Sequence, residues 1–333
     1  MVKGTFGGFT GDCVPREYTD LALEAHEALR GRLGMEVPGV RVSEDHQGEI
    51  SITRVEIFSE EGERLMGKSR GNYVTIEAPS LRRRNHQLQA ELGRVLTREL
   101  TGLLRLKPNS TIFVVGLGNW KATPDALGPR VVNNVLVTRH LKEHIPQDLS
   151  GGLRSVAALA PGVLGLTGIE TSEIIRAVVN DLHPDVVIAV DALAARNIER
   201  IATSVQLADS GIHPGSGVGN ERRGLTEKIL GVPVLALGVP TVVHAITIAA
   251  NTIDILLDKM REQPSFLQII EEMEEAERKG LINEVLNPLV GDLMVTPKEI
   301  DVLIEDLSRI IAGSLNAALH PNINEDEIFA YLN

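Results

Sequence analysis

The stretch that decides the fold is Val186-Val-Ile-Ala-Val190-Asp-Ala-Leu-Ala-Ala-Arg196. It opens with an unbroken apolar run, short and rich in β-branched residues, which suits a strand buried on both faces. Asp191 ends the run. Thr111-Ile-Phe-Val-Val-Gly-Leu117 and Val232-Pro-Val-Leu-Ala-Leu237 read the same way, and Val156-Ala-Ala-Leu159 reads as a shorter strand. Between and after these runs the apolar spacing turns helical, over 124–141, 169–182 and 241 to about 260. Alternation of this kind predicts an α/β fold, a mostly parallel sheet flanked by helices.

Outward from that core the pattern changes. Residues 37–77 are β-rich: Val37-Pro-Gly-Val-Arg-Val42, the run 50–58 and Tyr73-Val-Thr-Ile76 are alternating or β-branched, with Glu61-Gly62 and Arg70-Gly71-Asn72 as turns. A helix is expected over 80–106, with Leu81, Leu88, Leu92, Val95, Leu96 and Leu100 as its apolar stripe. Another begins near Leu21, capped by Thr19 or Asp20. Residues 1–15 hold five Gly or Pro and no apolar period, which suits a weakly held arm. The expected organisation is an arm, 1–20, ahead of one α/β domain, 21–333, with its β-rich part at 37–77 and a helical tail at 264–320.

Composition narrows the function classes. The 333 residues are 43% hydrophobic but only 3% aromatic, so the core is built from aliphatic residues. Lys and Arg number 33 against 45 Asp and Glu, a net charge of −12, which argues against a general nucleic-acid binder. Arg82-Arg83-Arg84, the one basic cluster, reads as a solvated helix face. Cys13 is the only cysteine, so no internal disulfide or cysteine-based metal site is possible. With no signal-like start and no membrane-length apolar run, a cytoplasmic protein is expected.

In an open α/β sheet, ligands bind beyond the carboxyl ends of the strands. Three loops qualify: 116–128, 191–196 and 209–220. Asp191 follows the apolar run directly and sits in dry surroundings, suited to holding a proton. Asp125 falls in the first turn of a helix after Thr123-Pro124, where free N–H groups and the helix dipole favour an ionised base. Two carboxylates made unequal in this way can share a proton and activate a water. Each also has a plain structural reading, a helix cap for Asp125 and a loop anchor for Asp191. Backbone N–H groups around Gly116, Gly118, Asn119, Gly215 and Gly217 could stabilise an oxyanion, or the glycines could serve only as tight turns. Neither loop completes a nucleotide-binding pattern: Lys121 stands where a third glycine would be needed, and the 215–219 run lacks its Lys-Ser/Thr. His213 reads as a loop histidine bonded to backbone, or as a substrate-binding or metal-ligating group. No helix-borne ligand pair is present, so no cofactor is assigned, though Asp, Asp and His from separate strands are a donor set that zinc or nickel accepts.

These loops carry a resemblance. Val115-Gly-Leu-Gly-Asn-Trp120, Thr123-Pro-Asp-Ala-Leu-Gly-Pro129, Ala160-Pro-Gly162, Thr167-Gly-Ile-Glu-Thr171, Val190-Asp-Ala-Leu-Ala-Ala195, Ser210-Gly-Ile-His-Pro-Gly-Ser-Gly-Val-Gly219 and Gly238-Val-Pro-Thr-Val-Val243 resemble the germination protease of endospore-forming bacteria. So do Leu293-Met-Val-Thr-Pro-Lys-Glu-Ile-Asp301 and Leu315-Asn-Ala-Ala-Leu-His-Pro321. The resemblance spans nearly the whole chain. It implies an endopeptidase that degrades small acid-soluble spore proteins at germination, in the forespore or spore core, with no membrane or direct nucleic-acid partner. It implies a homotetramer made as a zymogen, with a core fold similar to the hydrogenase-maturation endopeptidases. It also implies two catalytic aspartates, at Asp125 and Asp191.

The family pattern for cleavage is Thr/Ser-Glu-(bulky apolar)-Ala-x-Glu. Thr19-Asp20-Leu21-Ala22-Leu23-Glu24 matches it with Asp in place of the first Glu, so self-processing is expected between Asp20 and Leu21. Two positions depart from the family: His244 stands where an Asp is common, and Leu166 where a Gln is. Two rival readings remain beside this one, a metal-dependent maturation peptidase and a non-catalytic peptide-binding protein on the same fold.

Overall fold

The structure, a computed structural model, describes residues 19–141, 153–213, 224–261 and 293–321. Cys13, Gly215, Gly217 and residues 264–292 of the expected tail lie outside them. The chain forms two compact units, one of Tyr18–His244 with Met294–Asn333 and one of Met1–Glu17 with Ala245–Leu293.

The larger unit is organised by one sheet. Its strands are β1 (Val40–Gln47), β2 (Ile50–Ile57), β3 (Gly71–Glu77), β4 (Thr111–Gly116), β5 (Ser155–Leu159), β6 (Val186–Ala195), β7 (Ser204–Ala208), β8 (Val234–His244) and β9 (Met294–Val295). They lie in the order β1-β2-β3-β7-β8-β6-β4-β5, with β9 beside β8. The expected parallel core is β5-β4-β6-β8. The β-rich region continues the same sheet: β1, β2, β3 and β7 pair antiparallel, and β7 joins β8 antiparallel.

The helices of this unit are α1 (Ala22–Leu33), α2 (Glu60–Met66), α3 (His86–Leu104), α4 (Leu127–Asn134), α5 (Leu164–Thr167), α6 (Thr171–Leu182) and α7 (Glu227–Leu230). Of the smaller unit, helix α8 (Ala245–Arg261) is described, and Ala245 N–H donates to Leu293 O at 2.9 Å. The last helix of the larger unit, α9, spans Ile300–Leu319.

One sheet face carries Phe113, Val115, Val187 and Ala189 against Ile175 and Val179 of α6 and Leu230 of α7. The same face continues through Val55, Tyr73 and Ala236 against Ala22 of α1. The opposite face receives α4, which α9 and then α3 back. A Cβ on Gly116 would collide with the Gly128 carbonyl, so glycine at both positions lets α4 cross the end of β4 at close range.

Several expected boundaries move. The helix expected over 80–106 is a 3-10 turn, Pro79–Arg83, and then α3, because Arg84 takes a left-handed conformation and Asn85 caps the new helix. Arg82 donates to the carbonyls of Ile198 and Ile201 while Arg84 pairs with Asp306, so these exposed arginines also tie elements together. The expected helix over 124–141 separates into a 3-10 turn at Thr123–Asp125, α4, and a second turn at Arg139–Leu141. Glu61-Gly62 lies inside α2, which Ser59 caps. Strand β8 runs on to His244 instead of giving way to helix at 241, because β9 supplies a partner there. Within the expected tail, Met294–Val295 is strand and only α9 is described as helix.

Candidate active site

Asp191 lies inside β6, since that strand continues past the end of β4 to Ala195. Its Cα partner on β8 is Gly238, and Gly238 pairs in turn with Gln206 of β7. Gln206 pairs with Thr75 and Thr75 with Thr53. Side chains of paired residues share a face, so a buried polar row, Thr53-Thr75-Gln206-Gly238-Asp191, crosses the sheet. Asp191 Oδ1 accepts the Ala192 N–H at 2.9 Å.

Asp125 ends the 3-10 turn ahead of α4 and is half-buried, so it precedes the helix rather than sitting in its first turn. Its loop is anchored beside Asp191. Leu117 N–H donates to the carbonyl of Val190 at 2.8 Å, and Asn119 N–H donates to the Asp125 carbonyl at 3.0 Å. Gly118 (φ +112°) lies against that same carbonyl, where a Cβ would collide. The turn at Thr123–Asp125 touches both β6 and β8. Asp191 on β6 and the loop that carries Asp125 are therefore tied together at Val190–Leu117. Gly116, Gly118 and Asn119 are the packing and hydrogen-bonding groups of that knot.

The third loop leaves the sheet elsewhere. Because β7 runs antiparallel to β8, Asp209 emerges at the amino ends of the parallel strands, the end opposite to the one expected. Its carboxylate accepts from Asn72 N–H and Nδ2, both at 2.7 Å. The chain then folds back, packing Ile212 near Leu21, Leu193 and Ala195. His213 is exposed, with its ring against Gly224. His244 is buried as the last residue of β8, not on a helix, and Leu166 is exposed. Among the described residues no three His, Cys, Asp or Glu side chains converge as a metal site would require. No helix among them is long and apolar enough to cross a membrane.

The segment Thr19–Glu24 is held by groups from several elements. Asp20 brackets Ala194 of β6, its N–H donating to Ala194 O at 3.0 Å and its Oδ2 accepting Ala194 N–H at 2.9 Å. Leu21 is fully buried against Leu193 and Ala195, on the face that carries Asp191. Gln206 spans the next peptide units, its Oε1 accepting Ala22 N–H at 2.7 Å and its Nε2 donating to Asp20 O at 3.3 Å. Lys68 Nζ donates to the same Asp20 carbonyl at 2.9 Å. The expected side-chain cap by Thr19 or Asp20 is not the arrangement found: Leu21 is the N-cap residue, and remote Gln206 takes the first helical N–H of α1.

Glu24 is buried, and its carboxylate accepts from Arg196 N–H at 2.7 Å, Asn197 N–H at 2.9 Å and the Thr19 hydroxyl. Arg200 lies 3.5 Å away and also pairs with Glu27 and Glu77. Burial works against the Arg200 charge, but its bonds to Glu27 and Glu77 outweigh that and hold the guanidinium above its ordinary range. Lys68, Gln206, Arg200 and Asn197 were not legible as site residues. They come from separate elements, and the cleavage pattern ending at Glu24 marks only the segment they hold.

The sequence profile of the germination protease family matches residues 17–263 and 257–332. That defines the chain as a peptidase. A germination protease of Clostridium tetani is 46% identical over 319 residues, 95% of this chain and 99% of the relative. One from Caldanaerobacter subterraneus subsp. tengcongensis is 51% identical over 314 residues, 93% and 96% of the two chains. The chain belongs to the germination protease family, proteases that act in spore germination. A crystal structure of a NiFe hydrogenase maturation protease, HycI, from Thermococcus kodakarensis aligns with 40% of this chain and 74% of that one, at 21% identity and a TM-score of 0.26.

Proposed function

We propose that this chain is an endopeptidase that degrades small acid-soluble spore proteins in the spore core, is made as a homotetrameric zymogen, and cuts itself between Asp20 and Leu21. Residues 1–20 are then the removable arm and 21–333 the peptidase. Water held between Asp125 and Asp191 attacks the peptide carbonyl. Asp125 takes the proton of the water, and Asp191 passes one to the leaving amine. No cofactor is assigned to this step.

The observation that carries the reading is the seat of the segment Thr19–Glu24. It matches the cleavage pattern, and its Leu21 packs on Leu193, two residues along β6 from Asp191. A segment bound on the face of its own candidate carboxylate is what a self-cutting precursor requires.

Mass spectrometry of the purified chain tests it. The expected mature product begins at Leu21, and Asp125→Asn and Asp191→Asn each slow its appearance, and cleavage of an acid-soluble spore protein, by about 10²–10⁴-fold. Wild-type rates in both variants would sink the mechanism. An active enzyme that keeps residues 1–20 would sink the zymogen claim.

A further inference from the structure

We propose that Lys68 and Gln206 are catalytic residues of the self-cut, forming the oxyanion-stabilising pair for the Asp20–Leu21 peptide; this rests on the cut site named above. The carbonyl oxygen of Asp20 already receives two donors, the Lys68 ammonium at 2.9 Å and the Gln206 Nε2 amide at 3.3 Å. That oxygen gains negative charge when water adds to its carbon. Donors aimed there before reaction, in surroundings poor in water, stabilise the developing charge without reorganising.

Three further features point the same way. Gln206 fixes the register, because its Oε1 holds Ala22 N–H while its Nε2 faces the Asp20 carbonyl, so the Asp20–Leu21 peptide bond is spanned by one amide group. The backbone that follows Lys68 is tied down: the buried Tyr73 hydroxyl donates to the carbonyl of Ser69 at 2.7 Å and accepts from Ser210 Oγ at 2.8 Å. Burial pushes the Tyr73 phenol up to about 12, so it stays a donor at any physiological pH. Finally, Gln206 and Asp191 share one sheet face with only Gly238 between their strands. The space over Gly238 is taken by the side chain of Leu193, which also packs on Leu21 and so joins the docked segment to the end of β6 that carries Asp191.

The step balances as an ordinary hydrolysis. The water oxygen bonds to the Asp20 carbonyl carbon, and the π pair moves onto the oxygen held by Lys68 and Gln206. Collapse re-forms the carbonyl and breaks the bond to Leu21 N. One water proton goes to the carboxylate pair, and the leaving amine takes one from it. Burial lowers the basicity of Lys68 while Asp20 and Glu24 act against that shift, so the Nζ–H facing the Asp20 carbonyl belongs to an amine made more acidic by its surroundings.

The test follows the appearance of the Leu21 N-terminus in full-length chains, with hydrogen exchange at the Ala22 amide reporting whether the segment stays seated. Lys68→Met is expected to slow the cut by about 10²–10³-fold with Ala22 still protected. Lys68→Arg, which keeps a cationic donor, recovers most of that loss. Gln206→Glu keeps the acceptor for Ala22 but replaces the donor to Asp20, and is expected to slow the cut while leaving the exchange unchanged. A wild-type rate in Lys68→Met overturns the proposal. So does slowing that tracks lost Ala22 protection, which would make Lys68 an anchor alone. Wild-type chain that never yields a Leu21 terminus, or Asp191→Asn that cuts normally, overturns the function proposed above instead.

Discussion

The two halves of the sheet bury different things. In the parallel half, β5-β4-β6-β8, the strand interiors are mostly aliphatic: Val114, Ile188, Val190 and Leu237 are fully buried, and the carboxylate Asp191 appears only where β6 outruns β4. In the antiparallel half, polar side chains sit in mid-strand. Thr53, Thr75 and Gln206 are all buried there, in register with one another. Chemistry in the parallel half can be found by looking at strand ends. In the antiparallel half it is found only by knowing the register, because a lone Gln in Ser204-Val-Gln-Leu-Ala208 looks like any polar strand residue.

The strongest test of this contrast is the carboxylate that joins the docked segment to the end of β6. Glu24→Ala leaves the N–H groups of Arg196 and Asn197 without their acceptor and Arg200 without one of its anions. A loss of about 3–5 kcal/mol is expected, read as a lower urea midpoint at unchanged slope. A shift under about 1 kcal/mol would show that the segment is held by apolar contacts alone.

A reciprocal pair probes the halves directly. Val114→Thr puts a hydroxyl into the dry parallel half and is expected to cost about 1–3 kcal/mol. Thr75→Val removes a buried hydroxyl that has no hydrogen-bond partner among the described residues, so it is expected to be neutral or to stabilise by up to about 1 kcal/mol. Equal costs for both would erase the distinction.

The gentlest probe is pH. Burial lowers His26 on α1 and His320 beyond α9 below the ordinary histidine value of 6.5. In the window from 6.5 down to their folded values the unfolded chain binds more protons, so stability is intact above 6.5 and falls as the solution is acidified through that window. Melting temperature measured from pH 7 to 5 is expected to fall, and less steeply in His26→Leu. A flat profile in the wild type would show that neither imidazole resists charging.

How far the sequence went follows the same division. The strands at 111–116, 186–190 and 234–237 announced themselves as apolar runs, and with them the α/β core. Their true ends did not. Local pattern has no way of showing that Asp191 stays in β6, or that β8 passes through Pro240 to reach His244, since the partner β9 comes from residue 294 onward. Asp125 and Asp191 stand out in the sequence as candidates because loop position and motif coincide there. Lys68 and Gln206 do not, because what matters about them is a contact with Asp20 across 48 and 186 residues of chain. Asp209 emerges at the amino ends of the parallel strands and not at the expected end for a related reason: the direction of β7 is fixed by pairing, which periodicity does not encode.

The seat of Thr19–Glu24 has a consequence for timing. A segment covalently attached to the surface it occupies presents itself there at an effective concentration on the order of millimolar or above. A free protein carrying the same pattern at micromolar concentration loses that competition by roughly a thousandfold. On the proposed function, the rate at which residues 19 and 20 vacate β6 therefore sets how soon any other chain is cut. The interval between synthesis and first turnover is then written in a dissociation rate rather than in the chemistry of the carboxylates.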